Sequence, residues 1–77
     1  MTLAELPLGQ RGLIVSIAGE STARRRLLEL GLLPQTEVRV VHVAPLGDPL
    51  SLRVRNGTLS IRRAEAHHIS VVRVDPE

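Results

Sequence analysis

The sequence predicts a mainly β fold, a small and partly closed barrel of about five strands with one inserted α-helix. The chain has 77 residues and no Phe, Tyr or Trp, so its core must be built from Leu, Ile, Val and Ala. Many of these residues are β-branched and favour strands. Short apolar runs recur between Gly, Pro and Asn residues, as strands do between turns. At this length we expect a single domain over residues 1–77.

Two strands are predicted in the first half of the chain. "GLIVSIA", residues 12–18, is a β-branched run bounded by glycines, which is typical of a strand buried on both sides. "TEVRVVHV", residues 36–43, is also strand-like, but its four valines fall in two pairs on opposite faces. A β-bulge or burial on both faces would explain this pattern.

A helix is predicted between these strands, at residues 21–31. Gly31 is the kind of residue that ends many helices in a left-handed conformation, and Leu32 then packs back on Leu27. Three apolar residues recur with the spacing of one helix face and are expected to be buried: Ala23, Leu27 and Leu30.

A hairpin is the clearest local prediction. The runs "LSLRVR" and "TLSIRR" alternate and are joined by Asn56-Gly57, the preferred pair of a type I′ turn. Closing a two-residue loop there pairs Arg55 with Thr58 and Leu52 with Ile61. One face then carries Leu50, Leu52, Val54, Leu59 and Ile61, and the other face carries Arg53, Arg55 and Arg62.

The chain after the hairpin is predicted to form one short helical turn at "AEAHH" and a last strand at residues 69–74. The two ends of the chain are expected to be loosely held.

Charge and composition exclude several classes of function. Arginine supplies all ten basic side chains, and eight acidic ones leave a net charge of +2. Single-strand binders add aromatic stacking to a basic groove, and duplex binders carry more excess charge. The sequence therefore indicates no nucleic-acid partner. No catalytic motif such as G-x-S-x-G or a Gly-rich phosphate loop is present, so we expect a protein that is not an enzyme.

The sequence also predicts where the protein works. The first residues, "MTLAELPLGQRG", have neither the basic start nor the apolar run of a signal peptide. No apolar stretch approaches the length of a membrane span, so we expect a cytoplasmic protein without membrane insertion. The absence of cysteine fits a reducing compartment.

Three consecutive arginines, Arg24, Arg25 and Arg26, open the predicted helix. They would suit a phosphate-binding patch, an arginine finger for a GTPase partner, or the solvated face of a helix. Cations in the first turn oppose the helix dipole, which favours an acidic partner. The triplet is therefore the first candidate for partner binding, and the hairpin arginines at positions 53, 55 and 62 are the second.

A metal site is the other candidate. Imidazoles occur only at His42, His67 and His68, with Glu65 and Asp48 as oxygen donors. Glu65 and His68 are spaced i and i+3, which places both on one face of a helical turn. These ligands suit zinc or ferrous iron, but two are too few for a structural site. A second chain would complete the set, giving a metal-bridged homodimer. Without a third ligand in the chain, exposed histidines beside a strand are the more common explanation.

The segments "RRRLLELGLLP" and "VAPLGDPLSLRVRNGTLSIRRAEAHHISV", in this order, resemble the ferrous-iron transport protein A (FeoA) family over nearly the whole chain. The same small domain resembles the C-terminal module of iron-dependent repressors. The resemblance implies an SH3-like barrel and a cytoplasmic accessory role beside FeoB, a membrane iron transporter with a GTPase domain. No resident cofactor is implied. Two hypotheses follow, a docking protein of iron uptake and a small module that binds divalent metal.

Two positions depart from the family pattern. Members often have "PG" after the helix, where this chain has Pro34 followed by Gln35. A positive φ at that place is less favourable for Gln than for Gly. Members also often carry an aromatic residue beside the hairpin, and this chain has none.

Overall fold

The computed structural model describes residues 1–19, 21–55 and 57–74. Within them a five-stranded antiparallel sheet has the strand order β4-β3-β2-β1-β5. Two helices and a 3₁₀ turn at Leu3–Glu5 accompany it, which confirms the predicted fold class. In chain order the elements are β1 (Arg11–Ile17), α1 (Ser21–Glu29), β2 (Glu37–Val43), β3 (Leu50–Val54), β4 (Gly57–Ile61), α2 (Arg63–Ala66) and β5 (Ile69–Val74).

One face of the sheet is buried and is covered by the 3₁₀ turn, α1 and α2. Alternation along each strand sends every second side chain to this face. The core is purely aliphatic, as the composition requires. It consists of Leu3, Leu6, Ile14, Ile17, Leu27, Leu32, Val38, Val40, Leu50, Leu52, Ile61, Ala66, Ile69 and Val71.

Two β-bulges interrupt the alternation. One lies in β1 between Ile14 and Ser16, and the other lies in β2 between Val40 and His42. Of the two explanations given for the pairs of valines, the second bulge confirms one, and the other, burial on both faces, does not occur in β2. Each extra residue lies on the exposed side. Val15 is 52 % exposed, so the prediction that β1 is buried on both sides is wrong, because only one face of the sheet is covered. The bulges thus place aliphatic side chains on the outer face of the sheet.

The hairpin forms, but its predicted register is wrong by two residues. Leu52 lies opposite Leu59 and not opposite Ile61, and Val54 lies opposite Gly57. This is not the pairing that a turn centred on Asn56-Gly57 requires. Asn56 itself lies outside the described residues. A slip of two leaves every side chain on its predicted face. The observed register pairs two fully buried residues, Leu50 and Ile61, which turn preference alone does not reveal.

Helix α1 is shorter than predicted and is held by fewer residues. Leu27 is buried as expected, whereas Ala23 is exposed and Leu30 is 38 % exposed. The helix ends at Glu29, so Leu30 lies in the cap and not on the buried stripe. Gly31 has a φ of 96°.

The end of α1 is a Schellman motif. The N–H of Gly31 donates to the carbonyl of Leu28, and the N–H of Leu32 donates to the carbonyl of Leu27. The motif returns Leu32 to the core beside Leu27, as predicted.

The beginning of the chain is packed, contrary to the prediction of two loose ends. Leu3 and Leu6 are buried, and Thr2 forms an isolated bridge with Ser70 of β5. Gly12 of β1 leaves room for this segment, since a Cβ there would lie 3.0 Å from a methyl group of Leu6. The end of the chain, residues 75–77, lies outside the described residues.

Gln35 has a φ of 71°, in the left-handed region. This is the position at which the sequence departs from the "PG" pattern. The N–H of Gln35 donates to the carbonyl of Ile14 over 2.7 Å, and the N–H of Ile14 donates to the carbonyl of Thr36. These two bonds to β1 hold the turn in a conformation that is unfavourable for a residue with a side chain.

Candidate partner-binding surfaces

Three arginines form a row across the outer face of the sheet, which we call the sheet row: Arg11, Arg39 and Arg53. Arg11 of β1 lies opposite Arg39 of β2, and Arg39 lies opposite Arg53 of β3. Neighbouring strands lie about 4.7–4.9 Å apart, so the three side chains leave the sheet side by side. Like charges directly opposite each other destabilise a sheet. The stability of the fold therefore does not explain this row.

The sheet row lines a groove of about 630 Å³, to which Arg55 and Glu37 also contribute. Nη1 of Arg11 lies 3.3 Å from Oε2 of Glu37, and this ion pair uses the carboxylate. Within the described ranges, the exposed guanidinium groups of Arg39, Arg53 and Arg55 make no hydrogen bond or ion pair. The groove is therefore positively charged.

The three consecutive arginines of α1, which we call the helix triplet, are exposed but are used unequally. Nε of Arg24 donates to the carbonyl of Ile17 over 3.1 Å, which ties α1 to the end of β1. Nη1 of Arg26 forms an ion pair with Oε2 of Glu65, which ties α1 to α2. Arg25 makes no hydrogen bond or ion pair within the described part of the chain. Two of the three charges thus serve the packing of the helix.

The structure separates the hairpin arginines into two places. Arg53 and Arg55 line the groove of the sheet row. Arg62 follows β4 and lines a second groove of about 390 Å³, together with Arg26 of the helix triplet. Asp48 and Glu65 also line the second groove, so its charges are mixed.

The residues predicted as metal ligands lie near one another along the chain, but Glu65 is already occupied. Its Oε1 accepts the N–H of Arg62 over 2.8 Å and its Oε2 pairs with Arg26. His67 is exposed, and the ring of His68 lies 3.3 Å from the position that a Cβ of Gly19 would take. Among the described residues no three or more His, Asp or Glu side chains are grouped as metal ligands would be.

His42 and Asp48, the other side chains considered as metal donors, lie apart from these residues. His42 lies opposite Ser51 on the outer face of the sheet. Oδ1 of Asp48 accepts the N–H of Arg63 over 3.0 Å, at the beginning of α2.

Arg63 clamps three segments, a role that sequence reasoning missed. Its Nε donates to the carbonyl of Gly47 over 2.7 Å, and its Nη1 donates to the carbonyl of Ala4 over 3.0 Å. Together with the bond from its own N–H to Asp48, these contacts join α2 to the loop before β3 and to the 3₁₀ turn. Nothing in "SIRRAEA" distinguishes this half-buried arginine from its exposed neighbour Arg62.

Glu5, in the 3₁₀ turn, is an acidic residue whose side chain also makes a structural hydrogen bond. Its Oε1 accepts the N–H of Thr2 over 2.7 Å. This hydrogen bond favours the ionised carboxylate and lowers the pKa of Glu5 below its usual value of 4.5.

Arg11 and Arg39 were also missed by the sequence analysis. Each stands alone among apolar residues, in "QRGLIV" and "EVRVVHV", and neither belongs to a run of charge. The available signal was alternation, which places Arg39 on the face opposite Val38 and Val40. The antiparallel pairing then brings it next to Arg53.

The strand order and the aliphatic core define a small SH3-like domain. A family model described as the FeoA domain matches residues 1–73, and the chain belongs to the FeoA family. The predicted resemblance is confirmed, and with it an association with ferrous-iron transport. None of the described helices is long and apolar enough to span a bilayer.

Among curated proteins the chain is similar to the Fe(2+) transport protein A/Fe(2+) transporter FeoB fusion protein of Porphyromonas gingivalis. The two are 38 % identical over 71 residues. This stretch is 92 % of the chain but only 8 % of the fusion protein, so the chain corresponds to a small part of that relative.

Among solved structures the chain is similar to the FeoA protein from Chlorobium tepidum, with 39 % identity and a TM-score of 0.90 over 100 % of this chain and 73 % of that one. FeoA of Stenotrophomonas maltophilia, described as an SH3 domain protein and crystallised with zinc, is 36 % identical. Its TM-score is 0.80 over 94 % of this chain and 89 % of that one. A manganese-dependent transcriptional repressor has a TM-score of 0.86 at 19 % identity, over 96 % of this chain and 41 % of its own, a likeness of fold alone.

Proposed function

We propose that the chain is an accessory protein of ferrous-iron uptake that docks on the cytoplasmic part of the transporter FeoB. One observation carries this proposal. In the Porphyromonas gingivalis relative a single polypeptide bears both names, transport protein A and transporter FeoB. A domain that is joined covalently to a transporter in one organism works beside it at a high effective concentration. A binding surface on such a domain holds it at the same place without the covalent link.

Arginines are the proposed docking residues: Arg24, Arg25, Arg26, Arg53, Arg55 and Arg62. All six are exposed, and guanidinium groups pair well with carboxylates. Because Arg24 and Arg26 also hold α1 in place, replacing the whole helix triplet would disturb the fold and binding together. Arg25 and Arg55, which make no such contacts among the described residues, are the cleaner probes.

The test is calorimetric titration of this protein with the purified cytoplasmic region of FeoB from the same organism. We expect saturable binding that is unchanged by a chelator and weakens as salt is added. Arg25→Glu and Arg55→Glu should weaken it, whereas the matched control Arg73→Glu should not. Absence of binding by the wild-type protein at low salt would contradict the proposed function.

Metal binding is a second candidate, favoured by the zinc complex of the Stenotrophomonas maltophilia protein. Its proposed ligands are Glu65, His67 and His68, shared between two chains. Since Glu65 is engaged with Arg26 and Arg62, we expect weak binding of Zn²⁺ accompanied by dimerisation. Calorimetry with ultracentrifugation tests this, with His42→Ala as the control for His67→Ala and His68→Ala. Sub-micromolar affinity in a monomer would contradict the shared site.

A further inference from the structure

The outer face of the sheet is divided into a cationic half and an aliphatic half. The sheet row occupies β1, β2 and β3. The same face carries Leu13 of β1, which is half-buried between Val72 of β5 and Glu37 of β2, and Val15 of the bulge. Val72 is 51 % exposed, close to the value for Val15. A solvent-facing sheet normally turns polar residues outward. Exposed Val15 and Val72 on the same face as Arg39 and Arg53, which have no carboxylate partner among the described residues, are therefore unusual.

We infer that this face binds an α-helix of a partner protein, with aliphatic side chains over Leu13 and Val72 and acidic side chains over Arg39 and Arg53. The inference deepens the proposed function, on which it rests for the identity of the partner. The chemistry of the face is independent of that identity.

The spacing of the sheet row favours a helix. Acidic residues at i and i+4 of a helix have their Cβ atoms about 5–6 Å apart. The step between arginines on neighbouring strands is about 4.7–4.9 Å, so successive turns of a helix that crosses the strands meet successive arginines. From β5 to β3 the helix crosses three such steps, about 14 Å, which corresponds to about 10 residues.

The shape and charge of the face disfavour other polyanions. The arginines line a groove of about 630 Å³, which suits a convex rod better than a flat lipid surface. Nucleic acid would lack aromatic stacking partners, because the sequence has no aromatic residue. An acidic helix is the partner that satisfies the guanidinium groups and covers the aliphatic half at the same time.

Two isomeric peptides test this inference. Each is an alanine-based helix of about 15 residues with two Leu residues in the first turn and the same number of Glu residues. In the phased peptide the Glu residues are spaced by four on the Leu face, and in the unphased peptide they are distributed around the helix. Equal helicity is verified by circular dichroism. Charge attraction alone predicts equal affinities, whereas the groove predicts that the phased peptide binds at least about tenfold more tightly.

Titration of isotope-labelled protein with each peptide gives both the site and the affinity. We expect amide shifts in β5, β1, β2 and β3, and a loss of at least about fivefold in Arg39→Gln. Arg73→Gln removes the same charge from β5 and should change the affinity less than about twofold. Equal binding of the two peptides, or an Arg39→Gln affinity equal to wild type, would overturn the inference. The inference would also be overturned if the protein bound phosphatidylserine vesicles and did not distinguish the two peptides. A membrane would then be the ligand of this face.

The outcome is separable from that of the proposed function. If the phased peptide binds as expected and the cytoplasmic region of FeoB does not, the helix-binding face stands and the transporter is not its partner. If that region binds with an affinity that Arg39→Gln does not change, and the two peptides bind equally, the proposed function stands and the docking residues lie elsewhere.

Discussion

The helix triplet and the sheet row contain three arginines each and use them in opposite ways. In the helix triplet, Arg24 donates to the carbonyl of Ile17 and Arg26 pairs with Glu65. In the sheet row Arg39 lies between two other arginines, and only Arg11 has a carboxylate partner among the described residues.

The difference teaches that adjacency in sequence is a poor guide to a charged surface. Consecutive residues of a helix point in different directions, about 100° apart, so each arginine of the helix triplet meets a different neighbour. Residues far apart in the chain are brought side by side by antiparallel pairing. Two arginines of the helix triplet therefore serve the fold, and arginines that are scattered in the sequence build the charged surface.

The largest expected effect concerns the packing that holds the helix triplet in place. Leu27→Ala should destabilise the protein by about 2–5 kcal/mol, because a fully buried side chain is lost and a cavity remains. Thermal and urea unfolding measure it. Leu30→Ala, in the same helix end, should cost less than about 1 kcal/mol. Equal costs would mean that Leu30 is buried together with Leu27, as the stripe predicted from the sequence requires.

The next largest effect concerns Arg63, whose hydrogen bonds join three segments of the fold. Arg63→Ala should cost about 2–3 kcal/mol, since two charge-assisted hydrogen bonds to carbonyls are lost. Arg63→Lys keeps the charge without the planar geometry and should recover less than half of the loss. The exposed neighbour is the control, and Arg62→Ala should stay within about 0.5 kcal/mol. A similar loss in both alanine variants would show that the clamp contributes nothing.

Charge reversal should have opposite signs in the two sets of arginines. Arg26→Glu should destabilise by up to about 1 kcal/mol, because it faces the carboxylate of Glu65. Arg39→Glu should stabilise by about 0.2–1 kcal/mol, because it lies between Arg11 and Arg53. The two glutamine variants separate loss of charge from reversal, and both effects should shrink in high salt. Stability changes of the same sign would show that the helix triplet and the sheet row do not differ in their contribution to stability.

The smallest expected effect is the pH dependence of stability that Glu5 causes. Like Arg24, Glu5 forms a hydrogen bond with the backbone. Its pKa is lower in the folded protein than in the unfolded chain, so its contribution is present above the usual value of 4.5. The contribution is lost as the pH falls through the lowered pKa. Glu5→Gln should therefore melt below wild type at about pH 6, and the difference should shrink toward about pH 3. A difference that is independent of pH would assign the effect to packing.

Much of the fold was predictable because local sequence patterns determine it. Apolar β-branched runs and, in the hairpin, alternation predicted the strands, and Gly31 predicted the end of the helix. The two pairs of valines predicted either a bulge in β2 or burial on both of its faces. The hairpin register was not predictable from the turn, because a slip of two residues leaves the same faces buried. The packed Leu3 and Leu6 belong to a segment too short to show a period.

The arginine surfaces were predictable only in part. Arg53 and Arg55 were selected from the hairpin, and they do lie in one groove. Arg11 and Arg39 required the strand order, which brings β1 and β2 beside β3. The double engagement of Glu65 required tertiary contacts with α1, which no spacing within "RRAEAHH" reveals.

The pairing of β1 with β5 has a consequence for folding. Arg11 lies opposite Val74, so nearly all of the described residues separate β1 from its second neighbour along the chain. Strands β2, β3 and β4 follow one another as a meander and can pair locally. Pairing between distant segments is slow because a long loop must close first. Until β5 has paired, one edge of β1 is able to add a strand from another chain. The protein is therefore most prone to aggregate during folding before β5 pairs with β1.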